Sequence, residues 1–264
     1  MTASINIEVD GLVAYYGERK VLKGIDLAVE DGEIMVIMGG SGSGKSTLLR
    51  HLLGLMLPAE GVVRLLGRDL AQLSSLEMLD LRRRMGVAFQ SGALFSSLTV
   101  AENIMLPLQE HTDLDTKTME IIAHLKLEVV SLAGFGHLMP AELSGGMIKR
   151  AALARAIVTD PKLLFCDEPS AGLDPVVSSS IDDLILRLRD AMGMTTVVVT
   201  HDLDSAFKIA DRICVLDDGE VIALGNKDEI RASQSVRVQN LLNRRSEEVT
   251  LDTDAYLRRL LGES

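Results

Sequence analysis

Glu33-Ile34-Met35-Val36-Ile37-Met38-Gly39-Gly40-Ser41-Gly42-Ser43-Gly44-Lys45-Ser46 is the stretch from which the fold is read. Glu33 to Met38 is an apolar run of strand length, the pattern of a strand buried on both faces. The glycine-rich segment Gly39 to Gly44 follows at once, and a helical pattern runs from Lys45 to Leu55. Residues 39–46 satisfy the P-loop pattern in the strand–loop–helix context that gives it meaning. Glycines let the backbone curl closely round a β-phosphate with several N–H groups pointing inward. The helix N-terminus adds the positive end of its dipole. Lys45 supplies a point charge for the β- and γ-phosphates of a nucleotide, the Ser46 hydroxyl is placed for Mg²⁺, and Thr47 continues the phosphate site.

A divalent metal needs a carboxylate as well. Leu163-Leu164-Phe165-Cys166-Asp167-Glu168 is an apolar strand ending in two acids, and open α/β sheets gather ligands beyond the carboxyl ends of their strands. Asp167 is the candidate for holding Mg²⁺, and Glu168 for polarising an attacking water. Pro169 then ends the strand.

Outward from these two segments the chain alternates. Ile5 to Asp31 is β-like, with turns at Tyr16-Gly17 and Asp31-Gly32. Gly61 to Leu66 and Gly86 to Gln90 read as short strands around a charged helical stretch at Leu76 to Arg84. Between Ser91 and Thr159 strand signals vanish and apolar residues recur at helical spacing, as in Ile121, Ile122, Leu125 and Val129, then Ala151, Ala154 and Ile157. Strands return at Leu163 to Cys166, Thr196 to Thr200, Ile213 to Leu216 and Glu220 to Ala223. The expected fold is α/β, a RecA-like P-loop core with a mostly parallel sheet covered by helices on both faces. Residues 1–90 and 160–233 form this nucleotide-binding core with its N-terminal antiparallel β subdomain, residues 91–159 form an inserted helical subdomain, and 234–264 form a helix-prone extension around Leu241, Leu242, Tyr256, Leu257 and Leu260. Asn226-Lys227-Asp228-Glu229 resembles a guanine-reading motif only superficially and is read as a loop.

Composition narrows the function. Of 264 residues 47% are hydrophobic and 25% charged, ordinary for a packed globular chain. A net charge of −11 argues against broad capture of nucleic acid, which needs clustered Lys and Arg, and against holding an anionic membrane by charge alone. The longest apolar runs are far shorter than the roughly 20 residues that span a bilayer, and Met1 to Asp10 has no basic-then-apolar leader. Contact with a membrane is therefore expected through a partner. Cys166 and Cys214 cannot make a disulfide framework; Cys166 reads as a small buried thiol, and a reducing, cytoplasmic setting fits.

One further segment selects among P-loop proteins. In Leu143-Ser144-Gly145-Gly146-Met147, a serine before two glycines opens a helix and makes a second anion site from a hydroxyl, free N–H groups and a dipole end. Together these segments resemble the ABC-transporter ATPase family, with Walker A at Gly39 to Ser46, Walker B at Leu163 to Glu168 and the signature at Leu143 to Met147. The resemblance implies Tyr16 as the aromatic stacked on adenine, Gln90 as the sensor of γ-phosphate or metal, Asp174 as a dimer-contacting acid and His201 as the γ-phosphate switch. It also implies a homodimer sandwiching two ATP molecules, each between Lys45 of one copy and Ser144, Gly145 and Gly146 of the other. Met147 departs from the glutamine usual at that place.

The segments Gln90 to Phe95, Pro107 to Thr112 and Leu138 to Met147 resemble more closely the ATPases of the bacterial Mla (MCE-family) phospholipid transporters, a group in which methionine at the signature is typical. This implies an integral-membrane permease, an MCE-domain lipid-binding subunit and a small STAS-domain subunit as partners. It also implies a peripheral position at the cytoplasmic side of the inner membrane. Two alternatives stay open: an ATPase of another solute-transporting branch, and a non-transport cassette protein acting on DNA or ribosomes.

Overall fold

The computed structural model describes residues 4–244, so the expectations placed on Tyr256, Leu257 and Leu260 lie outside the described residues. In chain order the elements are β1 (Ile5–Tyr16), β2 (Arg19–Glu30), β3 (Ile34–Gly39), α1 (Lys45–Leu52), β4 (Glu60–Leu65), β5 (Arg68–Asp69) and α2 (Ser75–Arg82). There follow β6 (Met85–Ala88), α3 (Val100–His111), α4 (Thr116–Val129), α5 (Gly145–Ala156), β7 (Leu163–Asp167), α6 (Pro175–Met192) and β8 (Thr195–Val199). The described chain ends with α7 (Leu203–Ile209), β9 (Arg212–Asp217), β10 (Glu220–Asn226), α8 (Lys227–Arg231) and α9 (Val236–Leu242).

Two sheets form. β2-β1-β4-β5 is antiparallel, and the larger sheet has the order β10-β9-β3-β8-β7-β6, parallel throughout except for β10. Every residue of β3 and β8 is buried, as expected of parallel strands covered on both faces. Their side chains alternate between two cores. Ile34, Val36 and Met38 join one packed against the helices from α3 to α7, while Met35 and Ile37 join another with β1, β2, β4 and α1. The second face is thus covered by the antiparallel sheet together with α1, where the sequence had suggested helices on both sides.

One reading is refined and one corrected. On α4 the buried positions are Met119, Ala123 and Leu127, whereas Ile121, Leu125 and Val129 are exposed. Both sets repeat at helical spacing, and the bulkier set faces outward. Asn226 to Glu229 is not a loop: Asn226 caps α8, accepting from the Asp228 and Glu229 N–H groups, while the Glu229 carboxylate accepts from the Asn226 N–H.

The helical stretch is tied to the sheet through the loop after β6. Asn103, fully buried on α3, accepts from the Phe95 N–H at 2.7 Å and donates to the Phe95, Leu98 and Thr99 carbonyls at 3.1, 3.1 and 2.9 Å. One amide therefore fixes the path of residues 95–99. Asn103→Ala would strand several of these backbone groups, and a loss of about 2 kcal/mol in urea unfolding is expected; an unchanged midpoint would remove this anchoring role.

Candidate nucleotide site

Parallel pairing in the order β3-β8-β7-β6 sends the loops that leave these four strands to one edge of the sheet. The register brings Ile37 and Asp167 level with Val199, and Ala88 level with Cys166. As a result, the segments beginning at Gly40, Thr200, Glu168 and Phe89 emerge side by side.

After β3 the chain has to pass tightly against β9. A Cβ on Gly39 would stand 2.1 Å from the Leu216 carbonyl oxygen and 2.7 Å from Ser43 Oγ, so only glycine fits. Ser43 Oγ is buried without a hydrogen-bond partner. Gly44 precedes α1 as an N-cap without a side chain, and the first turn holds no acid, which leaves its N–H groups and dipole open to an anion. Lys45 Nζ donates to the Gly39 and Gly40 carbonyls at 2.8 Å each. Burial pulls this ammonium below the usual lysine value, opposed by the Glu168 and Asp167 carboxylates. Tyr16 and Arg19 share a recess of about 270 Å³ with Gly42 to Thr47, and the half-exposed Tyr16 ring is held by Arg50, which donates to its hydroxyl at 2.5 Å.

At the end of β7, burial raises the Asp167 carboxyl above its ordinary value; the neighbouring Glu168 charge adds to this, and Lys149, Lys45 and Arg50 oppose it. Glu168 sits at φ 46°, a left-handed conformation unusual for a side chain of its length, and its N–H donates to the Val199 carbonyl at 2.8 Å. One carboxylate oxygen contacts His201 Nδ1 at 2.7 Å, and the other accepts from Thr200 Oγ1 at 3.2 Å. Gln90 and Asp167 line one recess. Sequence reasoning missed three of these contributors. Besides Thr200, it passed over Lys149, which donates to the Gln90 and Glu168 carbonyls, and Arg155, which donates to those of Gly92 and Ala93.

Ser144 caps α5, accepting from the Met147 N–H at 3.3 Å, and remains exposed. Gly146 lets α5 lie against α6, since a Cβ there would meet Val177 Cγ1 at 2.7 Å. Ser144, Gly145 and Gly146 line neither the Tyr16 recess nor the Gln90 recess. Asp174 caps α6, its Oδ1 accepting from the Val176 and Val177 N–H groups. Beside the Gln90 loop lies a groove of about 520 Å³, lined by Arg83, Phe89, Phe95, Pro107 and His111 among others.

The donor set is that of a phosphate cradle: uncapped N–H groups, an ammonium, a hydroxyl at Ser46 and carboxylate oxygens at Asp167. Hard oxygens of this kind suit a divalent cation such as Mg²⁺. No described helix is long and apolar enough to cross a membrane.

The ABC transporter family profile matches residues 22–171. The chain is 43% identical to the intermembrane phospholipid transport system ATP-binding protein MlaF of Haemophilus influenzae, over 91% of each chain. It is 41% identical to the protein of the same name from Escherichia coli K12, over 86% of this chain and 84% of that one. Among solved structures it is similar to a dimeric ATP-binding cassette in a post-hydrolysis state bound to ADP and Pi, with a TM-score of 0.76 and 33% identity over 83% of this chain and 98% of the other.

The Asp167 environment carries a stability prediction. A carboxyl raised by folding favours the native state while protonated, and this contribution is lost as pH climbs through its folded range. Asp167→Asn is therefore expected to melt higher than the wild type at neutral pH without nucleotide, with the gain shrinking as pH falls. Thermal unfolding across that range checks this, and a lower neutral-pH midpoint would refute it.

Proposed function

The chain belongs to the ABC transporter family, as one of its ATP-binding cassettes, and from that premise we propose that it splits ATP to power phospholipid transport by a membrane complex. The observation that carries the chemistry is the convergence of the Lys45 cradle, Asp167 and the Glu168–His201 pair at one edge of the sheet. The lipid assignment draws on relatives named for phospholipid transport over most of their length.

In this reading the open N–H groups of α1 and the Lys45 ammonium bind the β- and γ-phosphates, and Tyr16 stacks on the base. Ser46 and Asp167 would hold Mg²⁺, and Gln90 lines the same recess as Asp167; the ion would neutralise phosphate charge. Glu168, held by Thr200 and His201, orients water and accepts its proton, as both oxygens keep lone pairs free. His201 is exposed enough to turn toward a γ-phosphate.

Ser144, Gly145 and Gly146 stand apart from the cradle in one chain, which supports their serving the cradle of a second copy. The dimeric cassette among the structural relatives fits this arrangement. Asp174, beside the same interface, would contact the partner copy. The γ-phosphate completes the interface and its loss releases it, a two-state closure able to do work on a permease. The groove beside Phe89 and Phe95 is apolar and adjoins the Gln90 loop, so it suits a cytoplasmic element of that permease. The permease would hold the chain at the inner membrane's cytoplasmic side, with an MCE-domain lipid-binding subunit and a STAS-domain subunit completing the assembly.

The complex purified from membranes and reconstituted in vesicles should transfer labelled phospholipid only with Mg-ATP. Glu168→Gln should still bind ATP yet hydrolyse it at least about 10²-fold more slowly. ATP-dependent movement of a small solute with no lipid transfer would favour the other transporter branch. Separately, Ser144→Arg should leave nucleotide binding to the monomer intact and block ATP-driven dimerisation in light scattering; normal dimerisation would refute the shared site.

A further inference from the structure

Lys149 lies on α5, five residues after Ser144, or roughly 7–8 Å along the helix axis. Its side chain is almost wholly buried, and its ammonium donates to the Gln90 carbonyl at 2.5 Å and the Glu168 carbonyl at 3.0 Å. The two acceptors are 59 and 19 residues distant in sequence, at the ends of neighbouring strands β6 and β7. Farther along the same helix, Arg155 donates to the Gly92 and Ala93 carbonyls at 2.9 and 2.7 Å. The helix that starts at Ser144 thus grips the Gln90 loop at two places. At one of them it also grips the main chain of the residue whose carboxylate faces His201.

Burying an ammonium is costly, and burial does pull this group below the usual lysine value, against the pull of Glu168 and Asp167. A lysine placed only to fill space would be better replaced by an apolar side chain of similar length. What the ammonium adds is a charge-assisted bond to the backbone of Glu168, which is held in a left-handed conformation that costs energy for any residue other than glycine. The other main-chain bonds of Glu168 run to Val199 and Ala171, both of the sheet and its own loop. The Lys149 bond runs instead to the helical part of the molecule.

We propose that Lys149 is a positioning residue for hydrolysis, a tether that passes the position of the Ser144 end of α5 to the Glu168 carboxylate. It touches neither nucleotide nor water; it sets the backbone from which Glu168 projects. When α5 shifts to meet the γ-phosphate in the partner's cradle, the Gln90 loop and Glu168 follow through one side chain. This rests on the reading of Glu168 as the hydrolytic base.

The test compares wild type, Lys149→Met and Lys149→Arg in the assembled complex, by ATPase kinetics, binding of a fluorescent ATP analogue and thermal unfolding. Lys149→Met is expected to lower kcat at least about tenfold with KM and analogue affinity nearly unchanged, and Lys149→Arg, which keeps the charged donors, to restore most of it. Added to Glu168→Gln, Lys149→Met should cost little more, because the two act as one unit. Wild-type turnover in Lys149→Met, no recovery in Lys149→Arg, or a full additional loss on the Glu168→Gln background would each overturn the tether. Should Lys149→Met fail to fold, Lys149→Gln serves: the same kcat loss is expected, and wild-type turnover in that folded variant overturns the proposal. A wild-type complex that does not hydrolyse ATP would instead remove the reading of Glu168 itself.

Discussion

The parallel hydrogen-bond ladder joining β3, β8 and β7 is the constraint on which the rest depends. These strands are buried on both faces, and their alternating side chains feed two different cores. A slip of one residue would exchange the sets offered to each core, so the register is fixed by packing on both sides. With Val199 level with both Ile37 and Asp167, the phosphate loop, the two acids and His201 have no freedom to drift apart along the strands. The chemistry is carried by loops, but their starting points are set by the most rigid part of the molecule.

Charge distribution follows from that geometry. A chain with a net charge of −11 gathers Lys45, Lys149 and Arg50 round Asp167 and Glu168. Lys45 is occupied by carbonyls of its own loop and Glu168 by His201 and Thr200. In the proposed reading, a triphosphate would exchange one set of partners for another rather than fill a bare site, which would keep the buried charges paired before and after.

Much of this was legible in the sequence because it is local. A strand, a glycine loop and a helix lie consecutively at residues 34–52, and the acids close β7 by sequence alone. What escaped was long-range or too close to a tie. The pattern of α4 has two apolar faces, and nothing within residues 116–129 says that Ala123 points inward while Ile121 does not. The five-residue helix α8 is too short to show periodicity, so Asn226 to Glu229 reads as a loop. Lys149 looks like any surface lysine of a helix until residues 59 positions away fold over it, and Asn103 gives no sign that the chain eight residues earlier winds round its amide.

Cys166 and Cys214 lie inside β7 and β9, fully buried, and burial pushes both thiols up to about 12. At physiological pH neither offers the thiolate that alkylating reagents and peroxide attack. The native chain therefore behaves as cysteine-free toward maleimide dyes and spin labels, so that a single engineered surface thiol can carry a probe with both natural sulfurs left in place.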